Sequence, residues 1–538
     1  MIRNPILPGF NPDPSICRVG EDYYIATSTF EWYPGVQIHH SRDLVNWTLV
    51  RRPLERASQL DMRGNPDSCG IWAPCLSYAD GLFWLVYTDV KRYDGNFKDA
   101  HNYIVTSPTI EGEWSDPIYV NSSGFDPSLF HDDDGRKWFV NMQWNHRTES
   151  YGGAPKSPAF DGILLQEWDA ETKSLKGPIK NIFAGSPLGL VEGPHLFKRN
   201  GWYYLTTAEG GTGYDHAVTM ARSRSIDGPY EMHPDMHLIT SKDAPNAVLQ
   251  RAGHGQYVET PDGQPYHTHL CGRPMLPKRR CTLGRETALQ KCVWKDDDWL
   301  YLAQGGVVPD VEVPAPTDVE VTEQPARIET GFEPGPLPAD FQWLRTPQPE
   351  RIFNLSERSG HLRLYGRESV GSWFEQALVA RRQEHHSFRA ETTADFSPDS
   401  YQQVAGLTHY YNRHKFHAVV VTLHEKLGRV VTIFSCPGDF PHGRMVFPAD
   451  SGVAVPDGPI DLAMEIREND LQFFWRAGGG SGWQAIGPVL DAGVISDEGG
   501  RGEHGSFTGA FAGMLAFDTS GRARPADFSH FVYERLDG

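Results

Sequence analysis

Three acidic residues that could share one active site occupy matching places in a repeated pattern. Asp13 lies in NPDPS, Asp126 in SGFDPSLF and Glu192 in GLVEGPHLF. Hydrolysis of a glycosidic bond needs one carboxylic acid that protonates the leaving oxygen and a second carboxylate that attacks carbon or activates water. An isolated Asp-Pro is commonly only a turn former. The matched positions of the three residues therefore carry the argument for catalysis.

The neighbours of each acid indicate a role. Asp13 lies between Pro12 and Pro14, which fix the backbone and suit a base that positions a water molecule. Glu192 follows an apolar run, and partial burial would raise its pKa and keep it protonated, as a general acid requires. Asp126 would add a negative charge that raises the pKa of Glu192 and orients it. We therefore predict Asp13 as the base, Glu192 as the acid and Asp126 as the modulator.

The elements that must position these acids form a repeat of a Pro-containing start, a turn and an aromatic strand. The heads of the aligned units are Asp13, Ala73, Asp126, Gly193 and Gly253. A single all-β unit of this repeat cannot bury both of its faces. The five units must therefore pack around an axis, which predicts a five-bladed β-propeller. The innermost strands would begin at one mouth of the channel, where the three acids and His254 converge.

A second pattern supports this architecture and sets its limits. The segments HSRDLVNW, SPTIEGEW and SRSIDGPY recur after the aromatic strands, as an outer hairpin of each blade would. We predict a catalytic propeller over residues 1–305 and an extended linker rich in Pro and Glu over 306–335. Residues 336–538 alternate apolar and polar positions between Gly, Asp and Asn turns, which predicts a β-sandwich of jelly-roll, lectin-like type. The predicted fold class is all-β.

Composition excludes several classes of protein. The chain has 538 residues, a formal net charge of −19 and 12% aromatic residues. The negative charge disfavours nucleic acid and anionic membranes as partners, and neither a signal peptide nor an apolar run of membrane-spanning length is visible. The seven cysteines are scattered without a CxxC pair, which disfavours a zinc site and favours reduced thiols. We predict a cytoplasmic location.

Several motifs together resemble glycoside hydrolase family 43, in particular its two-domain β-xylosidases. The motifs are NPDPSI, GIWAP, FDPSLF, VEGPHL, AEGG and LGRETALQ in the first part and FQWLRTP, YQQVAGL and GSFTGAF in the second. The resemblance implies a five-bladed propeller, inversion of anomeric configuration, and the roles given above to Asp13, Asp126 and Glu192. Inverting enzymes hold acid and base about 6.5 to 9.5 Å apart, which admits a water molecule.

The same resemblance implies substrate-binding residues, each with a plainer alternative. Phe30 and Trp72 are similar to apolar walls of the innermost sugar subsite, or else are core aromatics of their blades. Arg285 resembles an arginine that binds sugar hydroxyls, or else forms an ion pair with Glu286. The complete set of candidate substrate-binding residues is Phe30, Trp72, Trp144, His254, Arg285 and Phe507.

The second domain bears on the length of the substrate. Phe507 lies in the Gly-flanked segment GSFTGAFAG, residues 505–513, where an aromatic side chain can project beyond its own domain. In the related β-xylosidases such a residue reaches the active site, whereas an ordinary sandwich-core position is the alternative. A closed pocket would admit only the end of a sugar chain.

We therefore predict an exo-acting xylan 1,4-β-xylosidase that releases xylose from the non-reducing end of β-1,4-xylo-oligosaccharides, with α-L-arabinofuranosidase side activity. The alternatives are a dedicated α-L-arabinofuranosidase and, in another class, a non-catalytic carbohydrate-binding propeller. No cofactor is predicted to be required, although a structural calcium ion near His254 is allowed. The sequence DDDG at residues 132–135 lacks the spacing of a calcium loop and is interpreted as a hairpin turn. The resemblance implies a homo-oligomer, a tetramer or a dimer.

Overall fold

The computed structural model describes residues 1–147, 149–150, 159–500 and 506–537. Strands form nearly all regular structure in these residues, and the described helical segments are two short 3-10 turns, Pro349–Arg351 and Ala492–Val494. No helix within the described ranges has the length and apolar character needed to cross a membrane. The all-β prediction is confirmed.

Five antiparallel sheets follow one another along the first part of the chain. The first blade contains Ser15–Val19, Asp22–Thr27, Gln37–Ser41 and Thr48–Arg51. The second contains Gly70–Ala79, Leu82–Arg92, Asp99–Ser107 and Ile118–Asn121. The third contains Ser128–His131, Lys137–Trp144, Phe160–Asp169 and Ser174–Phe183.

The last two blades complete the propeller that the sequence repeat predicts. The fourth contains Glu192–Arg199, Trp202–Glu209, Ala217–Ser223 and Glu231–Thr240. The fifth contains Gln250–Gly253, Tyr257–Glu259, Pro265–Gly272, Glu286–Trp294 and Leu300–Leu302. The recurring segments at 40–47, 107–114 and 223–230 join the third and fourth strands of blades one, two and four. This placement confirms the predicted outer hairpins.

One backbone feature marks the beginning of every blade. The φ angles are +57° at Asp13, +34° at Ala73, +54° at Asp126, +57° at Gly193 and +37° at His254. Non-glycine residues enter this left-handed region only where the surrounding structure requires it. The repeat is therefore present in the backbone conformation, and in the fifth blade the matching residue is His254 rather than the preceding glycine.

The N-terminal segment closes the ring by pairing with later parts of the propeller. Ile2–Arg3 pairs with Glu312–Val313, and the Asn11 N–H donates to the Arg285 carbonyl at 3.0 Å. The strand pair with 312–313 lies inside the range predicted to be a linker, since the ends of the closed ring need partners. This closure brings Asp13 next to the blade that carries Arg285.

Two eight-stranded sheets form the second domain. The first contains Arg327–Gly331, Phe353–Asn354, Leu362–Tyr365, Ser387–Asp395, Ile460–Arg467, Asp470–Ala477, Gln484–Asp491 and Pro525–Arg535. The second contains Trp32–Tyr33, Phe341–Leu344, Ala377–Arg382, Gln403–Asn412, Lys415–His424, Gly428–Pro437, Val453–Ala454 and Phe511–Asp518. The predicted β-sandwich is confirmed, since the inner faces of the sheets share one apolar core.

The two domains share backbone strand pairing as well as packed side chains. Trp32–Tyr33, which belongs to the chain of the first blade, pairs with Phe341–Leu344 and so becomes the edge strand of a sandwich sheet. The Trp32 ring stacks on Phe511 with centroids 3.7 Å apart. Arg327–Gly331 pairs with Pro525–Arg535, so part of the segment expected to be a linker is a sandwich strand. These short pieces carry no periodic signal in the sequence.

Candidate active site

A cavity of about 210 Å³ lies at the end of the channel, where the propeller meets the sandwich. Its lining includes Asp13, Asp126 and Glu192 from the heads of three blades, together with His254 and Arg285 from the fifth. Residues more than 170 positions apart in the sequence thus meet in one buried site, as the repeat predicts. The three carboxyl groups lie in residues that are nearly inaccessible to solvent.

Asp13 is held by three partners that favour its charged form. Arg285 donates from Nη1 to Oδ1 at 3.0 Å, Ser28 donates from Oγ to Oδ2 at 2.7 Å, and His254 Nδ1 lies 3.6 Å from Oδ1. Burial opposes ionisation, but the Arg285 guanidinium, His254 and the Ser28 hydroxyl outweigh it and lower the pKa of Asp13. A fixed carboxylate of this kind can act as a base.

Glu192 has the opposite electrostatic environment. Burial, and then the negative charge of Asp13, raise the pKa of Glu192 to about 8. Burial, and then Glu192, also raise the pKa of Asp126 well above its usual range. The Gly193 N–H donates to Asp126 Oδ2 at 3.0 Å, which favours the charged form of Asp126. This backbone hydrogen bond favours a proton on Glu192 over one on Asp126.

Gly193 allows this close assembly. Its φ is +57°, and a Cβ at this position would lie 3.0 Å from Nε2 of His254. A side chain here would press against the imidazole, so glycine lets Glu192 and Asp126 share the channel mouth with His254.

Arg285 connects the two domains across the site. Its Nη1 binds Asp13, and its Nη2 donates to the Phe507 carbonyl at 3.0 Å. The alternative of an ion pair with Glu286 is wrong, because the Glu286 carboxylate is bound by Arg273 at 2.7 Å through both oxygens. Arg285 thus holds the predicted base and reaches the predicted closing loop.

Aromatic side chains form the walls of the cavity. Phe30, Trp72 and Phe507 all line it, and Phe507 lies 6.5 Å from Phe30 and 6.0 Å from Trp72 between ring centroids. Phe507 comes from the sandwich, and its side chain is only partly buried, unlike the sandwich core. Gly505, which begins the segment quoted above, lies outside the described residues.

Trp144 does not line the cavity. Its ring packs against Phe125 at 6.3 Å and Phe160 at 5.5 Å, and both of those residues do line it. The indole N–H donates to the Asn96 carbonyl at 3.0 Å. Trp144 therefore lies behind the wall and supports it.

Several lining residues were not predicted from the sequence. They are Tyr93, Lys98, Phe125, Phe160, Gly211, Thr212, His216 and Leu270. Lys98 Nζ lies 4.3 Å from the centre of the Trp144 ring, and burial lowers its pKa to about 8 despite the attraction of Glu192. His216 is neutral, because burial lowers its pKa to about 3. Lys98 is in a segment without a repeat, so no spacing identifies it.

The protein groups around His254 do not by themselves form a calcium site. Calcium takes six to eight oxygen ligands, whereas the neighbours of His254 are the Asp13 carboxylate, already bound by Arg285, and the rings of His195 and His216. Within the described residues, no group of three or more His, Cys, Asp or Glu side chains is arranged to hold a metal. Residues 132–135 form the turn between Ser128–His131 and Lys137–Trp144, as predicted.

Two carboxyl groups in one cavity, one with a lowered pKa and one with a raised pKa, form the acid and base pair that hydrolysis of a glycosidic bond requires. The chain belongs to family 43 of the glycosyl hydrolases, whose family model matches residues 2–300. A second model, described as a beta xylosidase C-terminal concanavalin A-like domain, matches residues 329–534.

Similar proteins extend over the whole chain. Xylosidase/arabinosidase 43B of Humicola insolens is 61% identical over 99% of this chain and 97% of its own length. A beta-xylosidase of Bacillus subtilis is 48% identical over 99% of both chains. The crystal structure of a xylan beta-1,4-xylosidase from Bacillus halodurans superposes with a TM-score of 0.94 at 49% identity, covering 99% of this chain and 100% of that one.

Proposed function

We propose that the protein is an inverting, exo-acting β-xylosidase that releases xylose from the non-reducing end of β-1,4-xylo-oligosaccharides. The observation that carries the proposal is the opposite pKa shift of two acids in one cavity, lowered for Asp13 and raised to about 8 for Glu192. A site with one charged and one protonated carboxyl can activate water and protonate a leaving group at the same time.

In the proposed reaction, Asp13 takes a proton from a water molecule while that water attacks the anomeric carbon. Glu192 gives its proton to the glycosidic oxygen as the bond to carbon breaks, so the shortened sugar chain leaves as an alcohol. Asp126 acts through the backbone, since it accepts the hydrogen bond from the Gly193 N–H directly after the acid. Water attack on the face opposite the leaving group inverts the anomeric configuration.

The closed wall around the cavity supports exo action. Phe507 comes from the sandwich, and its ring centroid lies 6.0 Å from that of Trp72. Its carbonyl accepts a hydrogen bond from Arg285, which also binds the predicted base Asp13. A pocket closed on this side accepts the end of a chain and excludes internal positions of a polymer. The names of the similar proteins support xylosides as substrates, and the name of the Humicola relative, a xylosidase/arabinosidase, supports arabinosides as second substrates.

Proton NMR of xylobiose hydrolysis tests the proposal. We expect α-xylose to appear first from the non-reducing unit and to mutarotate later. Early accumulation of β-xylose would contradict inversion and make Asp13 a nucleophile. A parallel assay on an aryl α-L-arabinofuranoside measures the second activity, and a higher kcat/KM there than on the xyloside would favour the dedicated arabinofuranosidase instead.

The proposal also includes a cytoplasmic enzyme that works as a dimer or tetramer without a required metal. The seven cysteines are free and buried, which supports a reducing compartment. Cell fractionation tests the location, and analytical ultracentrifugation tests the oligomer. Full activity after dialysis against EDTA is expected, whereas loss that calcium restores would contradict the predicted independence from metal.

A further inference from the structure

Ser68 forms hydrogen bonds with two aromatic residues of the cavity wall, Phe507 and Trp72. It precedes Gly70–Ala79, the first strand of the second blade, and it is fully buried with a φ of +59°. Its three polar groups each have a different partner. The hydroxyl oxygen accepts from the Phe507 N–H at 3.0 Å, the carbonyl accepts from the Trp72 indole N–H at 2.9 Å, and its N–H donates to Glu31 Oε2 at 3.1 Å.

We propose that Ser68 is a positioning residue that sets the placement of Phe507 relative to Trp72, and thereby the affinity of the pocket for the terminal sugar. This inference rests on the proposed function. Trp72 belongs to the propeller and Phe507 to the sandwich, so one residue holds walls that come from two domains. Their rings meet edge to face, at 78° with centroids 6.0 Å apart.

The loop that carries Ser68 is itself held rigidly by the sandwich. Arg345 donates from Nη2 to Asp67 Oδ1 at 2.9 Å and from Nε to the Asn65 carbonyl at 2.7 Å. Arg413 donates to Asp67 Oδ2 at 3.1 Å. Because Arg345 is fully buried, these bonds give the Ser68 hydroxyl a defined position.

The segment around Phe507 is held on its other sides by different groups. Tyr411 accepts from the Thr508 N–H at 3.0 Å, and Lys415 donates to Ser506 Oγ at 2.9 Å. Arg285 binds the Phe507 carbonyl. Ser68 is the propeller residue that binds the Phe507 N–H. Without its hydroxyl, the segment keeps its other hydrogen bonds, but the position of the Phe507 side chain is less well defined.

The argument predicts an effect on binding and little effect on chemistry. Ser68 has no hydrogen bond to Asp13 or Glu192, and two of its three hydrogen bonds go to the wall residues Phe507 and Trp72. A single neutral hydrogen bond that is lost without a replacement changes an equilibrium about threefold to tenfold. We therefore expect KM to change by that factor while kcat stays close to its original value.

The test compares Ser68→Ala with Ser107→Ala as a matched control. Ser107 is also buried, and its hydroxyl bonds to the backbone of Thr109 in the outer hairpin of the same blade, away from the cavity. We expect Ser68→Ala to raise KM for xylobiose about threefold to tenfold with kcat retained, and Ser107→Ala to leave KM unchanged. Added to Phe507→Ala, the Ser68 substitution should cause no further rise in KM.

Hydrogen exchange followed by mass spectrometry provides a readout that needs no substrate. Peptides that include residues 506–511 should exchange faster in Ser68→Ala than in the original protein or in Ser107→Ala, because the Phe507 amide loses its acceptor. Unchanged exchange in this segment would overturn the proposal even if the protein proved inactive on xylosides. Equal effects of Ser68→Ala with and without Phe507, or a fall in kcat with unchanged KM, would overturn it as well.

Discussion

At the scale of single residues, the neighbours of Asp13 and Glu192 shift the pKa values of these two acids in opposite directions. Asp13 has a guanidinium, a hydroxyl and an imidazole around it, whereas Glu192 is buried and lies in the negative field of Asp13. The sequence predicts this difference in part. The prolines around Asp13 predict a fixed carboxylate that acts as a base, and the apolar run before Glu192 predicts a raised pKa. The guanidinium that completes it comes from residue 285, which only the closed ring brings near.

Substitution of the acid and of the base should give different dependence on the leaving group. Glu192→Ala should retain activity on dinitrophenyl xyloside, which needs little protonation, and lose it on xylobiose. Asp13→Ala should be inactive on both, because water activation is still required. Steady-state kinetics on the two substrates measure this, and equal losses for Glu192→Ala on both would remove its role as the acid.

The pKa shifts define the pH range of activity. The reaction needs Glu192 protonated, so kcat/KM should fall as the pH rises through about 8. It also needs Asp13 ionised, so activity should fall on the acid side only as the pH drops through a pKa below the usual 3.8. A pH profile of kcat/KM over the stable range of the protein measures both limbs.

Lys98 supplies the control for the alkaline limb, since burial lowers its own pKa to about 8. Lys98→Met should keep that limb and move it to higher pH, because the variant removes a positive charge that lowers the pKa of Glu192. Disappearance of the limb in the variant would assign it to Lys98 instead.

At the scale of elements, strand repeats could be predicted and short interdomain pieces could not. The five blade heads share a left-handed φ, and the sequence repeat found them to within one residue. Trp32–Tyr33 has only two residues, too few for a periodic pattern, and its partner strand lies about 310 positions later. Trp144 was predicted to bind the substrate, yet the depth of a side chain within a wall depends on packing that the sequence does not display.

The loop that carries Phe507 allows a test of its role as a wall. Phe507→Ala should raise KM for xylosides about tenfold or more and lower the melting temperature only slightly, because the ring is partly buried and faces the cavity. Phe473→Ala is the matched control, since Phe473 is fully buried in the sandwich core, and its loss should cost about 3 to 5 kcal/mol of stability. A similar loss of stability in both variants, with KM unchanged for Phe507→Ala, would make Phe507 a core residue.

At the scale of the whole molecule, the sandwich is part of the active site. It contributes Phe507 to the cavity, and it holds the loop at residues 65–68 through Arg345 and Arg413. The sequence predicted that the second domain closes the pocket. The ionic contacts behind that closure were not predicted, because arginines scattered over the chain acquire meaning only when two domains meet.

A propeller fragment should therefore fail as an enzyme. Residues 1–323 retain Glu312–Val313, which closes the ring with Ile2–Arg3, but they lose the sandwich and expose Trp32 and Tyr33. We expect little soluble protein and no measurable kcat/KM on xylobiose, with the full chain prepared in parallel as the control. A soluble fragment with unchanged kinetics would show that the sandwich takes no part in catalysis.

The edge strand that the first blade gives to the sandwich has a consequence for how the chain unfolds. One apolar cluster includes Tyr33, Ile38 and Leu54 of the propeller together with Phe341 and Phe473 of the sandwich. Loss of order in the propeller would remove an edge strand from the sandwich, and loss of order in either half would expose core surface of the other. The two halves should therefore melt as a single cooperative unit, with one calorimetric transition for a chain that sequence divides in two.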